Sequence, residues 1–169
     1  MTRDYVIANG NEKEFLDVAK KLGYSEIIFI NKATIPKTSL KTSVSNRVFK
    51  SNPDKDRELI ESKKADIIFE FEQEKRKDPT HFRNSGINHI LAKLMKQKNV
   101  SYGLSFSQIL NASTLEQSRL MGRISQNARL CKKYGVNVIV ASFARNPYEM
   151  RDSKDLDAFA RAMGILSKK

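Results

Sequence analysis

The sequence predicts an α/β fold with a mainly parallel sheet, and three patterns support this class. Short apolar segments alternate with helical apolar stripes along the chain, which is typical of consecutive β-α-β units. Glu26–Ile30 (EIIFI) is apolar at nearly every position, as strands buried on both faces are. In Val100–Phe106, large apolar residues alternate with Ser and Gly, so one strand face is small. A small face suits the interior of a narrow parallel barrel, although any buried strand with a solvent-facing Ser/Gly side shows the same alternation.

The N-terminal part predicts a β-α-β unit with short connections. Its strands are Asp4–Ala8 and Glu26–Ile30, and Asn11 and Glu14 between them have the spacing of a capping box. The helix should bury an apolar face formed by Phe15, Val18, Ala19 and Leu22. Gly23 is placed to end the helix, and the crossover should be right-handed.

The next part of the chain is predicted to hold a polar loop, a weak strand, a short helix, a further strand and a second loop. These segments are Asn31–Thr42, Ser43–Lys50, Pro53 to about Lys64, Ala65–Phe71 and Glu72–Ser85. The helix has the clearest start, because Asn52 can cap it and Pro53 occupies the first helical position.

A helix and a strand follow the second loop. The apolar stripe of the helix consists of Ile87, Ile90, Leu91, Leu94 and Met95, spaced i, i+3, i+4, i+7 and i+8. Asn84 or Ser85 is available to cap this helix, and the strand Val100–Phe106 comes after it.

The C-terminal part is predicted to be helix, strand and helix. A long helix, Leu115–Tyr134, should turn five side chains inward: Leu120, Met121, Ile124, Ala128 and Cys131. Val136–Ala141 is a buried strand, and Asp152 or Ser153 caps the last helix. The prediction is one domain, residues 1–169, with six strands, five helices and a short basic tail.

The net charge of +12 is the strongest compositional feature. It indicates a polyanionic partner, nucleic acid first and an anionic membrane surface second. Solubility or high-temperature ion-pair networks are the alternative explanation of a Lys-rich surface. No apolar run reaches the roughly 20 residues of a bilayer span, no secretory signal is evident, and Cys131 is the single cysteine. We therefore expect a cytoplasmic protein without a membrane partner.

Several loops after the strand C-termini, where parallel barrels place functional residues, are basic. Basic side chains with nearby amides and a tyrosine suit phosphate contacts and occasional base stacking. Eight residues in these loops and on the long helix are candidate RNA contacts: Lys75, Arg76, Lys77, Arg83, Arg119, Arg123, Arg145 and Arg151. As alternatives, Lys75–Lys77 is a solvated charge run, and Arg145 and Arg151 cap the last helix or pair with a loop carboxylate.

Signals of catalysis are weak. The two histidines, His81 and His89, form no His-x-His pattern, and Cys131 lies at a helical core position that suits a small buried residue. We therefore predict no catalytic residue, no metal ligand and no cofactor bound by this chain. A metal-dependent phosphoesterase with His81, His89 and nearby carboxylates as ligands is the competing hypothesis. A partner-binding module with incidental charge is a third.

Several motifs, in order, resemble one family. They are RKDP (Arg76–Pro79), GINHILAKLM (Gly86–Met95), VSYGLSFSQILNA (Val100–Ala112), KKYGV (Lys132–Val136), VIVASFA (Val138–Ala144), NPYEMRDSKDL (Asn146–Leu156) and FARAMGI (Phe159–Ile165). Together they are similar to the archaeal ribonuclease P protein component 3 family, the counterpart of the thirty-kilodalton subunit of the eukaryotic enzyme. The resemblance covers roughly residues 66–165 well and residues 1–30 loosely.

The resemblance implies a TIM-barrel-like parallel barrel related to the polymerase and histidinol phosphatase (PHP) superfamily, with that superfamily's metal ligands lost. It implies a non-catalytic RNA-binding subunit of ribonuclease P, the endoribonuclease that removes the 5′ leader of precursor tRNA. RNase P RNA would hold the Mg²⁺, protein component 2 would be the protein partner in a heterotetramer, and precursor tRNA would be met indirectly. Family members are usually longer, and one strand–helix unit is missing around Asn31–Ser43, so we expect six or seven strands and incomplete closure.

Overall fold

The structure, a computed structural model, describes residues 2–31, 33–73 and 77–165. In these residues seven strands form, and every strand pairing is parallel. They are β1 (Arg3–Val6), β2 (Glu26–Ile30), β3 (Lys41–Ser45), β4 (Val48–Lys50), β5 (Ile67–Phe69), β6 (Ser101–Ser105) and β7 (Val138–Ala141). One sheet has the order β1-β2-β3 and the other has the order β4-β5-β6-β7. The predicted α/β class with parallel strands is therefore confirmed.

The two sheets approach each other at two places without closing into a complete barrel. β3 and β4 belong to one extended segment that bends at Asn46 and Arg47, and its first half pairs with β2 while its second half pairs with β5. Between β1 and β7, Val6 and Ala144 form an isolated bridge. The N–H of Ile7 donates to the carbonyl oxygen of Ala144 at 2.8 Å. This arrangement matches the expected shortened barrel with incomplete closure, and the relation to the PHP superfamily stays a prediction.

Six α-helices and two 3-10 turns connect the strands in the described part of the chain. The helices are α1 (Glu12–Lys21), α2 (Asp56–Glu61), α3 (His89–Lys98), α4 (Phe106–Leu110), α5 (Thr114–Tyr134) and α6 (Ser153–Ala162). The turns are Phe71–Gln73 and Pro147–Glu149. No helix lies among the described residues between β2 and β3, which agrees with the unit predicted to be missing there.

The small face of β6 lies against a crowded interior, as its sequence pattern predicts. A Cβ atom added to Gly103 would lie 2.8 Å from Cβ of Phe69 and 2.9 Å from Cζ of Phe143. These two rings are buried and stack with their centroids 4.4 Å apart. Only a residue without a side chain fits at position 103 while this aromatic pair stays in place.

Several predicted element boundaries differ from the structure, and in three cases a nearby polar side chain binds the backbone elsewhere. The turn before α2 is closed by Asp56, whose carboxylate accepts from the N–H of Asn52 at 2.8 Å, so the helix starts later than predicted. Asn88, rather than Asn84 or Ser85, caps α3 by accepting from the N–H of Leu91 at 2.8 Å. Phe106 begins the unpredicted helix α4 instead of continuing β6, since Ser105 caps that helix.

Two apolar side chains that were predicted to be buried are exposed. Ile90 is 58% exposed because α3 faces the core mainly through Ala92 and Met95. Met121 is exposed because α5 buries a face that includes polar residues as well as Ile124, Ala128 and Cys131. A pattern that counts only apolar residues therefore assigns Met121 to the buried face of α5 and leaves out the buried polar residues Arg123 and Asn127. In the described part of the chain, none of the helices combines the length and the apolar composition that a membrane span requires.

Candidate nucleic-acid interface

The loop at residues 77–85 is fixed to α5 by a buried arginine. Arg123 is 2% exposed, and its Nε and Nη2 atoms donate to Oδ1 of Asp78 at 2.9 and 2.7 Å. Its Nη1 atom donates to the carbonyl oxygen of Glu72 at 2.8 Å. Partial burial by itself would raise the Asp78 pKa, but hydrogen bonds from Arg123 and from the N–H of Asn84 outweigh it, and the pKa is lowered. Asp78 is therefore ionised and holds one end of the loop.

Two amide side chains of α5 hold the other end of the same loop. Gln126 accepts from the N–H of Arg83 at 3.2 Å and donates to the carbonyl oxygen of Arg83 at 2.8 Å. Asn127 donates to the carbonyl oxygen of Ser85 at 2.7 Å. Within the loop, Asn84 donates to the carbonyl oxygen of Lys77 at 2.6 Å. These contacts fix the loop backbone, so the outward side chains start from a defined position.

The outward side chains of the loop and of α5 form a basic surface. Lys77, Arg83 and Arg119 line one open cavity of about 550 Å³. Arg83 also lines a neighbouring cavity of about 440 Å³, together with Arg129 and Phe82. Among the described residues, none of the four basic side chains forms an ion pair within 4.0 Å. Asp78 also lines both cavities, but its carboxylate is bound by Arg123, so the four positive charges exceed the negative charge beside them and can attract an anionic partner. We call Lys77, Arg83, Arg119 and Arg129 the α5 basic surface.

Gly122 explains how Arg83 reaches this position. A Cβ atom added to Gly122 would lie 2.7 Å from Nε and 3.0 Å from Cζ of Arg83. The Arg83 side chain therefore lies directly on the helix surface at the place where α5 has no side chain. A glycine inside a helix costs about 1 kcal/mol relative to alanine, and the close approach of Arg83 is a structural reason for its presence.

Arg145 and Arg151 lie outside both cavities of the α5 basic surface. Arg145 donates to both carboxylate oxygens of the buried Glu70, at 2.8 and 3.0 Å, and Lys50 joins the same carboxylate at 3.1 Å. Arg151 donates to the carbonyl oxygens of Tyr148 and Met150, and its guanidinium lies 5.6 Å from the centroid of the Phe106 ring. Pairing with a loop carboxylate was one predicted alternative for Arg145, and its partner is Glu70, directly after β5. Lys50 was not expected to bind the same carboxylate.

The eight predicted RNA contacts thus separate into four sets. Lys77, Arg83 and Arg119 come together on the α5 basic surface. Arg145 and Arg151 are partly exposed and already have protein partners. Arg123 stands apart, because its side chain is buried and bound to Asp78 inside the protein, an arrangement that the sequence did not indicate. The remaining two, Lys75 and Arg76, lie outside the described residues.

Arg129 and Phe82 were not predicted to be part of the site. A basic residue near the C-terminal end is favourable in any helix, so the position of Arg129 on α5 indicates no site by itself. Only the packing of the loop against α5 places it beside Arg83. Gly122 is the sequence feature that could have indicated that the loop packs on α5, since a glycine inside a long amphipathic helix indicates a close approach by another group.

Beneath the surface, a buried carboxyl group organises the inner side of α5. Glu72 accepts hydrogen bonds from the hydroxyl group of Tyr102 and from the amide of Asn127. Burial raises the pKa of Glu72 to about 7, although both hydrogen bonds act in the opposite direction. Burial likewise raises the pKa of Cys131 to about 12, so its thiol is neutral and buried, as predicted for a core residue.

The described residues give no support to the competing hypothesis of a metal-dependent phosphoesterase. His81 and His89, its proposed ligands, are both exposed. No group of three or more His, Cys, Asp or Glu side chains in the described ranges is arranged to hold a metal ion. What this surface can do is bind anions through arginine and lysine side chains on a rigid support.

Comparisons with known proteins agree on one family. Residues 57–169, well over half of the chain, match the family described as RNase P subunit p30. Ribonuclease P protein component 3 of Methanocaldococcus jannaschii is 33% identical over 81 residues, which are 48% of this chain and 35% of that protein. Its counterpart from Methanosarcina mazei is 26% identical over 109 residues, 64% of this chain and 42% of that protein.

A solved structure shows the same fold. A chain in the cryo-EM structure of archaeal ribonuclease P with mature tRNA superposes with a TM-score of 0.70 at 22% identity. The superposition covers 94% of this chain and 82% of that chain. By sequence, the matched regions span less than half the length of each of the two relatives. The chain described here belongs to the RNase P subunit p30 family.

Proposed function

We propose that this chain is a non-catalytic RNA-binding subunit of ribonuclease P and assists the catalytic RNA in removing the 5′ leader of precursor tRNA. The α5 basic surface carries this proposal, because three of its members were expected RNA contacts and none of its four side chains has an ion pair among the described residues. The family match includes the whole of this surface. Phosphate neutralisation by such side chains would let the RNA fold compactly with less Mg²⁺.

The proposed partners follow from the same family membership. RNase P RNA is the direct RNA partner, protein component 2 is the protein partner in a heterotetramer, and precursor tRNA is contacted indirectly. The functional Mg²⁺ belongs to the RNA, and this chain binds no cofactor. The complex works in the cytoplasm. The net charge of +12 supports a polyanionic partner of this kind.

Reconstitution tests the proposal. Cleavage of precursor tRNA by the RNA and the remaining protein subunits is measured with and without this chain, over a series of Mg²⁺ concentrations. We expect the chain to shift cleavage to lower Mg²⁺. Cleavage that is unchanged when the chain is left out would refute the subunit assignment.

A pair of charge-reversal variants tests whether the α5 basic surface is the part that acts. Lys77→Glu with Arg119→Glu should abolish most of the stimulation, since both residues line the same cavity. Lys55→Glu with Lys154→Glu is the matched control, because it makes the same change in net charge at two exposed helix N-termini, where glutamate is favourable. If both double variants lose stimulation equally, the effect comes from net charge and not from this surface.

A further inference from the structure

Phe82 is an exposed aromatic residue inside the basic surface, and phosphate binding alone leaves it without a role. Its side chain is 60% exposed and belongs to none of the three apolar clusters of the core. It lines the cavity of about 440 Å³ together with His81, Arg83 and Arg129. A large apolar side chain at such a place is therefore not explained by the packing of the fold.

The backbone around Phe82 is held in place before any partner binds. Arg83, the next residue, has both its N–H and its carbonyl oxygen hydrogen-bonded to Gln126, at 3.2 and 2.8 Å. At the start of the loop, Asp78 is fixed by the buried Arg123 at 2.7 Å. A ring presented from a fixed loop loses little conformational freedom when another flat group packs on it, since only its own two side-chain torsions remain to be ordered.

The charges around Phe82 select the kind of group that can pack there. Arg83 and Arg129 line the same cavity, and neither has an ion pair within 4.0 Å among the described residues. Asp78 also lines this cavity, but its carboxylate is bound by Arg123. An apolar protein surface placed on Phe82 would remove these cations from water without neutralising them, which is costly. An unpaired nucleotide offers a flat base for the ring and phosphates for the two guanidinium groups.

We propose that Phe82 is a stacking platform for an unpaired nucleotide of the RNA partner, with Arg83 and Arg129 binding the phosphates beside it. This inference rests on the proposed RNA-binding function and specifies its target as single-stranded RNA, because bases inside a duplex have no free face. The ring provides contact that does not depend on salt, and the arginines provide contact that does.

A tryptophan reporter tests the stacking directly, because the chain contains no tryptophan. In the full-length variant Phe82→Trp, the new fluorophore should be quenched by single-stranded oligoadenylate and not by an RNA duplex with the same number of phosphates. Ile90→Trp is the matched control, since Ile90 is 58% exposed and lines neither cavity of the basic surface. Equal quenching by the duplex, or equal quenching of the control, would overturn the proposal.

Affinity measurements separate stacking from phosphate binding. Phe82→Ala should weaken binding of oligoadenylate about tenfold at every salt concentration, and Phe82→Tyr should restore it. Arg83→Ala should instead flatten the dependence of affinity on salt. If Phe82→Ala leaves RNA affinity unchanged and weakens assembly with the other protein subunits, Phe82 is a protein contact and the proposal is wrong. If the unmodified chain binds no RNA at all, the proposed function itself fails.

Discussion

Replacing Gly122 by alanine should stabilise this protein and, if the proposed function is right, weaken its binding to RNA at the same time. The new Cβ atom would lie 2.7 Å from Nε and 3.0 Å from Cζ of Arg83. Both distances are well below ordinary contact, so the guanidinium must move away by several tenths of an ångström. The move is inexpensive, because these atoms are the outer part of a flexible side chain, but it takes the charge out of its position in the cavity.

The size of each effect follows from the surroundings of Gly122. Inside the long helix α5, alanine is favoured over glycine by about 1 kcal/mol, and little of this gain is lost in moving Arg83. For a chain of this length, a gain of this size raises the melting temperature by about 2–4 °C. Misplacing one phosphate contact should lower the slope of log affinity against log salt by at most about 0.7 for single-stranded RNA.

A double-mutant cycle shows whether Arg83 transmits the effect. Unfolding in urea and RNA binding at several salt concentrations are measured for Gly122→Ala, Arg83→Ala and the double variant. In the Arg83→Ala background, Gly122→Ala should keep its stabilising effect and have no further effect on RNA binding. Weaker binding that persists without the Arg83 side chain would refute this reasoning, and so would unchanged binding in the single variant Gly122→Ala.

Two further predictions concern the groups beneath the surface. Glu72→Gln should stabilise the protein by about 3 kcal/mol above pH 7 and have little effect below pH 4.5. In the folded protein the pKa of Glu72 is raised to about 7, above its value in the unfolded chain. Ionisation of Glu72 therefore destabilises the fold as the pH rises from 4.5 to 7, and glutamine removes this penalty. Urea unfolding across this range measures it, and an effect independent of pH would contradict it. Arg123→Met should cost about 1–3 kcal/mol, since it removes the hydrogen bonds to Asp78 and to the Glu72 carbonyl oxygen and leaves a partly solvated carboxylate without its guanidinium partner. Adding Asp78→Asn should recover part of this loss, and a loss under about 1 kcal/mol would show that the pair is not needed.

The sequence predicted the elements well wherever a local rule decides them. Asp152 caps α6 through hydrogen bonds from the N–H groups of Lys154 and Asp155, as its residue type and position predict. The small face of β6 followed from the alternation around Gly103. Predictions failed where two local rules competed, as at Ser105, which ends a strand and caps a helix.

The candidate site was predictable in composition but not in arrangement. Excess basic residues in the loops and on α5 indicated an anionic partner, and Lys77, Arg83 and Arg119 do meet in one cavity. The sequence did not indicate that Phe82 is exposed at this site, because an apolar residue in a loop can pack inward or face solvent.

The sequence by itself determined the parallel class of the sheets, the basic character of the surface and the order of helices and strands, except for α4 and the division between β3 and β4. Only the tertiary structure decided which arginines are exposed and which are buried. Arg119 and Arg123 are four residues apart on one helix, and their charges are indistinguishable in the sequence. Arg123 faces Asp78 and the Glu72 carbonyl oxygen, so its charge is used to hold the loop, whereas Arg119 lies one turn earlier and remains at the surface. The physical reason is that burial and pairing depend on what packs against a side chain, and here that partner comes from a distant part of the chain.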